Sequence, residues 1–327
     1  MGYFDRVWRT HGMGILKREF AAVVSRDRAR AARQLNGEDA TFPVLFILMP
    51  ELDRFGFYKE LSPRNISALR ITTKKTTGDE KLERYLRYLE ETETEQSQRD
   101  TLRWIIETGI DWDGPSAGRD EYDTVIDYAV ALLVGDHGDN SQLAKIAELI
   151  FRRNRSGLFI HDLVWGFFRS VDADALSVVA KYIVSTNRDD VELACQMLGL
   201  DVPETMEAQE KTFTRYTDYL SENKSYLYLT GEGFQASSAP RHLTHDPEAK
   251  YLRREISPRD RAPLAPLSEI ELKALTRFRE AKDDVRELLI RHSGKVKTRG
   301  DDAWHNWINS DIARQVLAAQ EDEGENI

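Results

Sequence analysis

Five predicted helical segments follow one another between residues 121 and 200, with short polar breaks between them. Each segment has apolar residues at helical spacing, which predicts one buried face. Alternate segments begin near residues 121, 157 and 189, and the intervening pair begins near residues 141 and 173. A repeat of about 32 to 36 residues is typical of α-solenoids, in which helix pairs must stack because one pair cannot bury its apolar face alone.

The last of these segments reads Asp-Asp-Val-Glu-Leu-Ala-Cys-Gln-Met-Leu-Gly from Asp189 to Gly199. It resembles the inner helix of HEAT-type repeats, and this resemblance implies HEAT/ARM-type stacking of helix pairs over residues 121–200. An irregular helical bundle fits the same periodicity, so both architectures remain open. The third segment, 157–169, is apolar on nearly every face and is expected to be buried on several sides. The expected fold class is mainly α.

The sequence predicts a helical region with a small β element over residues 1–110. A basic amphipathic helix is expected over residues 14–35, with several arginines on its polar face. The apolar run 42–49 fits either a buried strand or a core helix, and the β-branched residues within 68–73 favour a strand. Residues 79–108 are expected to be helical, and their polar stretch 90–98 fits either an exposed turn of one long helix or a break between two helices. A surface loop is expected over residues 111–123.

Residues 204–266 are predicted to form a helix and then an extended arm, since residues 235–266 contain five prolines. The alternating segment 225–234 fits a short strand or part of that arm. A C-terminal helical pair is expected over residues 267–320, beginning with a capping box formed by Ser268 and Glu271. Trp304 and Trp307 on its last helix predict docking against an apolar surface of this chain or of a partner. The acidic tail 321–327 is expected to be disordered.

The composition restricts the compartment and the partners. The 46 basic and 56 acidic residues leave a formal charge of −10, which disfavours binding of nucleic acid by the whole surface but allows a local basic patch. No stretch approaches the roughly 20 apolar residues that span a bilayer. The first residues are charged where a signal peptide is apolar. Together with a single cysteine, these features predict a cytoplasmic protein without membrane contact.

No motif in the sequence identifies a reaction. A Gly-x-Ser-x-Gly elbow and a phosphate-binding glycine loop are both missing from the sequence. His161 beside Asp162 is expected to be a core or helix-capping histidine, and Cys195 a buried structural thiol.

His242, His245 and Asp246 have side chains of the kind that bind metals. Prolines flank this group, so a solvated arm is the expected structure rather than a metal site. A catalytic role would rest either on this group or on His161 with Asp162. We therefore predict no catalytic residue, no cofactor and no metal.

These observations favour a non-enzymatic scaffold or structural subunit that mediates protein–protein contacts in a larger assembly. A homo-oligomer is one form that this assembly can take. The alternative is a nucleic-acid-binding accessory protein that uses the basic N-terminal helix and the arginine clusters. The candidate partner-binding residues are basic or aromatic: Arg26, Arg28, Arg30, Arg33, Arg152, Arg153, Arg155, Arg253, Arg254, Trp304 and Trp307.

Overall fold

The computed structural model describes residues 1–75, 93–110, 112 and 119–324. These residues are mostly helical, which confirms the predicted mainly α fold class. The chain divides into two compact units, Met1–Ser170 and Val171–Ile327. Among the described residues, no helix combines the length and the apolar character that crossing a bilayer requires.

The described residues of the N-terminal unit are mainly helical. Its α-helices are α1 Tyr3–His11, α2 Met13–Arg26, α3 Arg28–Asn36, α4 Phe42–Arg54, α5 Pro63–Thr73, α6 Glu95–Gly109, α7 Arg119–Val130, α8 Leu143–Arg155 and α9 His161–Phe168. A 3₁₀ turn, Phe57–Glu60, precedes α5, and a π-helical turn, Ala131–Asp136, continues α7. The core lies between α4, α6 and α7, where the Phe42 and Tyr122 rings stack with their centroids 5.6 Å apart.

Two predictions for this unit are wrong. Residues 68–73 form the end of helix α5, in which every residue from Asn65 to Thr73 is buried. Burial by neighbouring helices therefore overrides the β propensity of the branched side chains. The expected single helix over residues 14–35 is two helices, because Asp27 adopts φ −151° and caps α3 through the Arg30 amide. The first part of the helix predicted over 79–108, and most of the loop predicted over 111–123, lie outside the described residues.

The predicted burial of the third helical segment is also wrong. Only His161–Phe168 is helical there, and the Phe159 side chain before it is 90% exposed. Trp165 is 44% exposed, while Leu163 and Phe167 on the opposite face are buried. Helix α9 therefore has one buried and one solvent-facing side. The boundary between the two units falls at residue 170, inside the block for which the sequence predicts continuous repeats.

The C-terminal unit contains eight α-helices within its described residues. They are α10 Ala173–Ala180, α11 Arg188–Leu198, α12 Met206–Asn223, α13 Pro247–Leu252, α14 Glu269–Glu280, α15 Asp283–Thr298, α16 Asp301–Asn309 and α17 Ile312–Gly324. Two 3₁₀ turns, Lys181–Val184 and Lys224–Tyr226, follow α10 and α12. Two short antiparallel strands, β1 Leu227–Leu229 and β2 Leu243–His245, pair with Tyr228 opposite Thr244.

Regular structure interrupts the segment 235–266, for which the sequence predicted an extended arm. Strand β2 and helix α13 both lie within it, and Tyr251 of α13 is fully buried. The ring of Tyr251 stacks on Phe278 with the centroids 4.3 Å apart. This part of the segment is therefore a component of the core of the C-terminal unit.

The C-terminal helices begin as predicted but are divided differently. Ser268 and Glu271 form the expected capping box at the start of α14. The helix then ends at Glu280, and α15 begins at Asp283. Helix α17 continues to Gly324 through four of the residues predicted to be disordered, and residues 325–327 lie outside the described part of the chain.

Candidate binding cleft

The described part of the C-terminal unit contains a cleft of about 610 Å³. Its walls are the end of α11, the loop 199–203, one face of α12 and the start of β2. The lining residues are Leu198, Gly199, Leu200, Asp201, Val202, Pro203, Ala208, Thr212, Arg215, Tyr216, Tyr219, Arg241, Leu243 and Thr244. The lining combines apolar side chains with polar and charged ones in similar proportion, and a concave surface of this volume is typical of ligand sites.

The loop between α11 and α12 forms the first wall of the cleft, and local sequence features determine its conformation. Gly199 has φ 66°, a left-handed conformation that glycine adopts at low cost and that ends α11. The Leu200 amide then donates to the Cys195 carbonyl oxygen at 2.9 Å, which turns the chain away from the helix axis. Thr205 caps α12 by accepting from the Ala208 amide at 3.2 Å. The loop between the two helices is therefore held at both ends.

Two tyrosines of α12 add aromatic rings and hydroxyl groups to the wall of the cleft. The rings of Tyr216 and Tyr219 lie 5.9 Å apart, and the Tyr219 hydroxyl is 3.1 Å from His245 Nδ1. Burial raises the pKa of Tyr216 far above its usual range, and burial likewise raises the pKa of Tyr219. Both phenols therefore stay neutral near pH 7 and act through hydrogen bonds and ring contacts.

The charged groups of the cleft are mostly positive. Arg215 and Arg241 are exposed, and neither guanidinium has an ion-pair partner in the described part of the chain. Asp201 is the acidic residue in the lining. A Cβ at Gly199 would lie 3.5 Å from the Arg241 side chain, so this arginine lies beside the loop at ordinary contact distance. The Arg241 amide donates to Glu232 Oε2 at 2.8 Å, which fixes the start of β2 next to the cleft. This arrangement suits an anionic ligand with an apolar body.

The predicted group of His242, His245 and Asp246 does not converge on one point. His242 is buried against the Phe234 ring, and burial lowers its pKa to about 4. Asp246 caps α13 through the Ala249 amide and accepts two hydrogen bonds from Arg261. Among the described residues, no set of three or more His, Cys, Asp or Glu side chains is placed to hold a metal ion.

Two other sequence predictions concern single residues. His161 is exposed at the first position of α9, so a core position is wrong for it, and it lies at the helix start instead. Cys195 is buried as predicted, and burial raises the pKa of its thiol to about 11. The thiol is therefore protonated near pH 7 and unreactive as a nucleophile.

Several of the predicted partner-binding arginines make contacts inside the fold. Arg153 is 2% exposed and forms buried ion pairs with Asp123 and Asp127. Arg152, one residue earlier on α8, donates to the Ile110 carbonyl oxygen, while Arg155 is exposed. The predicted use of Arg153 in partner binding is wrong, since its charge is satisfied inside the fold.

The basic N-terminal residues divide into two groups. Arg28 donates to Glu60 and to the carbonyl oxygens of Phe55 and Gly56, so it joins α3 to the turn after α4. Arg26, Arg30 and Arg33 are exposed.

The C-terminal candidates are mainly structural. Arg254 forms a 2.5 Å ion pair with Glu271 of the α14 capping box, and Arg253 packs over the Tyr226 ring at 5.1 Å. Trp304 and Trp307 are 3% and 8% exposed and belong to the core around Tyr251. The tryptophans therefore dock on their own chain, and the prediction that they bind a partner is wrong.

Sequence reasoning missed the residues that define the cleft. In the sequence, Tyr216 is a helix residue without a motif around it, and Arg215 and Arg241 are isolated basic residues without a motif. The spacing of Tyr216 and Tyr219 places both on one helix face, which is the single signal that the sequence contains. The cleft itself results from contacts between segments about 40 residues apart in the chain.

No protein-family model matches the chain, and comparisons with curated proteins and with solved structures find nothing similar.

Proposed function

We propose that the protein is a non-enzymatic interaction protein whose C-terminal unit binds an acidic, partly apolar segment of a protein partner. The observation that supports this proposal is the pair of arginines without ion-pair partners in the described residues, Arg215 and Arg241, beside the apolar and tyrosine-lined cleft. Carboxylates of the partner segment would pair with the guanidinium groups, and its apolar side chains would fill the cleft.

The surface around the cleft favours a polypeptide over a small molecule. Val202 and Met206 are 36% and 47% exposed at one side of it, so apolar surface continues beyond the cleft. An extended segment would cover both regions, whereas a small molecule would fill only the cleft. Arginine and tyrosine are also the residue types that contribute most often to binding energy in protein interfaces.

The proposal also covers the architecture, the compartment and the assembly of the protein. We propose that residues 121–200 form stacked helical hairpins. The packing of α9 against α7 and α8 in one unit, and of α10 against α11 in the other, supports this architecture. The single buried thiol suits the reducing cytoplasm, where we place the protein. Membership in a larger assembly, including a homo-oligomer, remains part of the proposal.

Fluorescence anisotropy with a labelled synthetic peptide tests this function. The probe is a fluorescein-labelled peptide of alternating Glu and Leu residues, and the comparison peptide has Gln in place of every Glu. Arg215→Gln and Arg241→Gln are each expected to weaken binding of the Glu peptide by about 3- to 10-fold, because each removes a charge-assisted hydrogen bond.

Arg314→Gln is the matched control, since Arg314 is an exposed arginine of α17 that does not line the cleft. It should leave the dissociation constant unchanged. Equal affinity for the Glu and Gln peptides, or full affinity in the Arg215→Gln/Arg241→Gln double variant, would contradict the proposal.

A further inference from the structure

A second charged surface lies on helices α1 and α3 of the N-terminal unit, around the side chain of Tyr3. The Arg30 guanidinium lies over the Tyr3 ring, 5.8 Å from its centroid. The hydrogen bond that Tyr3 donates to Glu19 raises the pKa of the phenol, and the charges of Arg30 and Arg6 act in the opposite direction. Arg6 follows Tyr3 at the i+3 spacing on α1, so arginines of two different helices lie beside the same phenol.

The surface extends by one helical turn on each helix. Arg9 follows Arg6 on α1, and Arg33 follows Arg30 on α3, each at the i+3 spacing that places two side chains side by side. All four arginines are exposed. We call Arg6, Arg9, Arg30 and Arg33 the Tyr3 surface.

The acidic groups near the Tyr3 surface leave most of its charge uncompensated. Glu19 accepts a hydrogen bond from the Tyr3 hydroxyl, and Asp5, on which the Arg9 charge acts, is buried and accepts one from Thr41. Asp39 lies beside the start of α1, where its carboxylate pairs with the N-terminal amine. Asp27 lies 3.9 Å from Arg33, but both side chains are more than half exposed, so this ion pair contributes little. The first 36 residues contain eight basic and three acidic residues, against a formal charge of −10 for the chain.

The Tyr3 surface has charge but no apolar anchor. In the first 36 residues, the large apolar side chains that are exposed are Met1 and Ile15, and neither lies on α1 or α3. Stable binding to a bilayer surface requires inserted apolar groups, and protein interfaces depend on buried apolar or aromatic centres. Binding to a phosphate backbone requires only cations, because released counterions supply the free energy.

We propose that the Tyr3 surface binds the phosphate backbone of nucleic acid without reading the base sequence. Each guanidinium can donate two hydrogen bonds to one phosphate, and the rings of Trp8 and Tyr3 support Arg9 and Arg30 from behind. The acidic residues elsewhere in the chain weaken this interaction little, since charges more than about 10 Å apart are screened at 0.1 M salt. The proposal is independent of the cleft in the C-terminal unit.

Salt-titrated anisotropy on the full chain tests the proposal. The probes are a fluorescein-labelled 20-base-pair DNA duplex and a single-stranded RNA of 20 nucleotides, each of mixed sequence. Four phosphate contacts predict a slope of log K against log [NaCl] of about −3.6 for the duplex and about −2.8 for the single strand. Arg6→Gln/Arg30→Gln is expected to reduce the duplex slope to about −1.8 and to weaken binding about ten-fold or more at 50 mM NaCl.

The double variant Arg215→Gln/Arg241→Gln removes the same charge from the cleft and should leave both slopes unchanged. Urea unfolding of each variant verifies that the fold is retained. Three results would each overturn the proposal: no binding of either probe at 20 mM NaCl, an equal loss of affinity in the cleft double variant, or a slope that the Arg6→Gln/Arg30→Gln variant leaves unchanged. Binding to phosphatidylserine vesicles in the absence of nucleic-acid binding would show that the partner is a membrane and would likewise overturn it.

Discussion

The ion pairs of Arg153 illustrate at the residue scale how burial changes the meaning of a charge. Its guanidinium lies 2.6 Å from an Asp127 oxygen and 3.1 Å from an Asp123 oxygen, and the arginine is almost fully buried. Burial raises the pKa of Asp127 from 3.8 to about 6, against the opposing effect of the Arg153 charge. The folded protein therefore holds a proton on Asp127 at pH values where the unfolded chain has lost it.

This shift predicts how stability depends on pH. Because the pKa of Asp127 is raised on folding, its favourable contribution is complete below about pH 3.8 and is lost as the pH rises to about 6. The asparagine of the Asp127→Asn variant does not titrate. The free energy of unfolding of this variant, relative to that of the native protein, should therefore increase as the pH rises through that window. The gain should be a few kcal/mol at most, since one pKa unit corresponds to about 1.4 kcal/mol.

Urea unfolding at pH 4.5, 5.5, 6.5 and 7.5 measures the effect. Asp120→Asn is the control, since Asp120 is exposed on the same helix. A constant difference in unfolding free energy between the native protein and the Asp127→Asn variant at all four pH values would contradict the assignment.

The sequence could not reveal these residue-scale roles. Arg152, Arg153 and Arg155 form an apparent basic cluster at the end of α8, where cations are favourable in any case. Only the fold shows that Asp123 and Asp127, about 26 to 30 residues earlier, face Arg153. In contrast, the burial of Cys195 was predictable, because its position on the apolar face of α11 depends only on local periodicity.

At the element scale, some helix starts can be recognised from the sequence and others cannot. The capping box at Ser268 follows a proline-rich segment, so a helix start is expected there. Asp27 lies instead inside a continuous apolar periodicity, and its capping function is hidden by that pattern. The strand predicted at residues 68–73 is wrong for a related reason: a fully buried helix has no polar face to show helical periodicity.

The cap formed by Asp27 gives a prediction about the break between α2 and α3. Its side chain accepts a 2.9 Å hydrogen bond from the Arg30 amide. Asp27→Ala should lower the free energy of unfolding by about 1 kcal/mol, because an amide at the helix start then lacks its partner. Urea unfolding at pH 7 measures this loss.

Asp27→Asn is the matched variant for this helix cap. Asparagine caps a helix about as well as aspartate, so most of the stability should be retained. The exposed pair with Arg33 adds little in either case. Equal losses in the Ala and Asn variants would show that the charge, rather than the cap, holds this junction.

At the scale of the whole molecule, the two compact units were not predicted. Changes in composition predict domain boundaries near residues 111, 203 and 267, whereas the boundary between the two units falls at residue 170. Val171, the first residue of the C-terminal unit, has φ 49°, an unusual conformation for a β-branched residue. No Gly or Pro marks this position, so a composition-based reading overlooks it.

Each unit has its own core and is expected to fold separately. Fragments 1–170 and 171–327 should each unfold cooperatively in urea, and the second should bind the Glu and Leu peptide with the affinity of the full chain. Circular dichroism and anisotropy measure these properties. A fragment without a cooperative transition would show that the units depend on each other for stability.

The positive charge on α1 to α3 affects how the molecule meets charged partners in solution. The first 36 residues have a formal charge of +5, and the remaining 291 have −15. The potential beside α1 to α3 is therefore positive although the chain as a whole is acidic. A polyanion is attracted to these helices once it comes within about 10 Å at 0.1 M salt, so encounters there are more often productive.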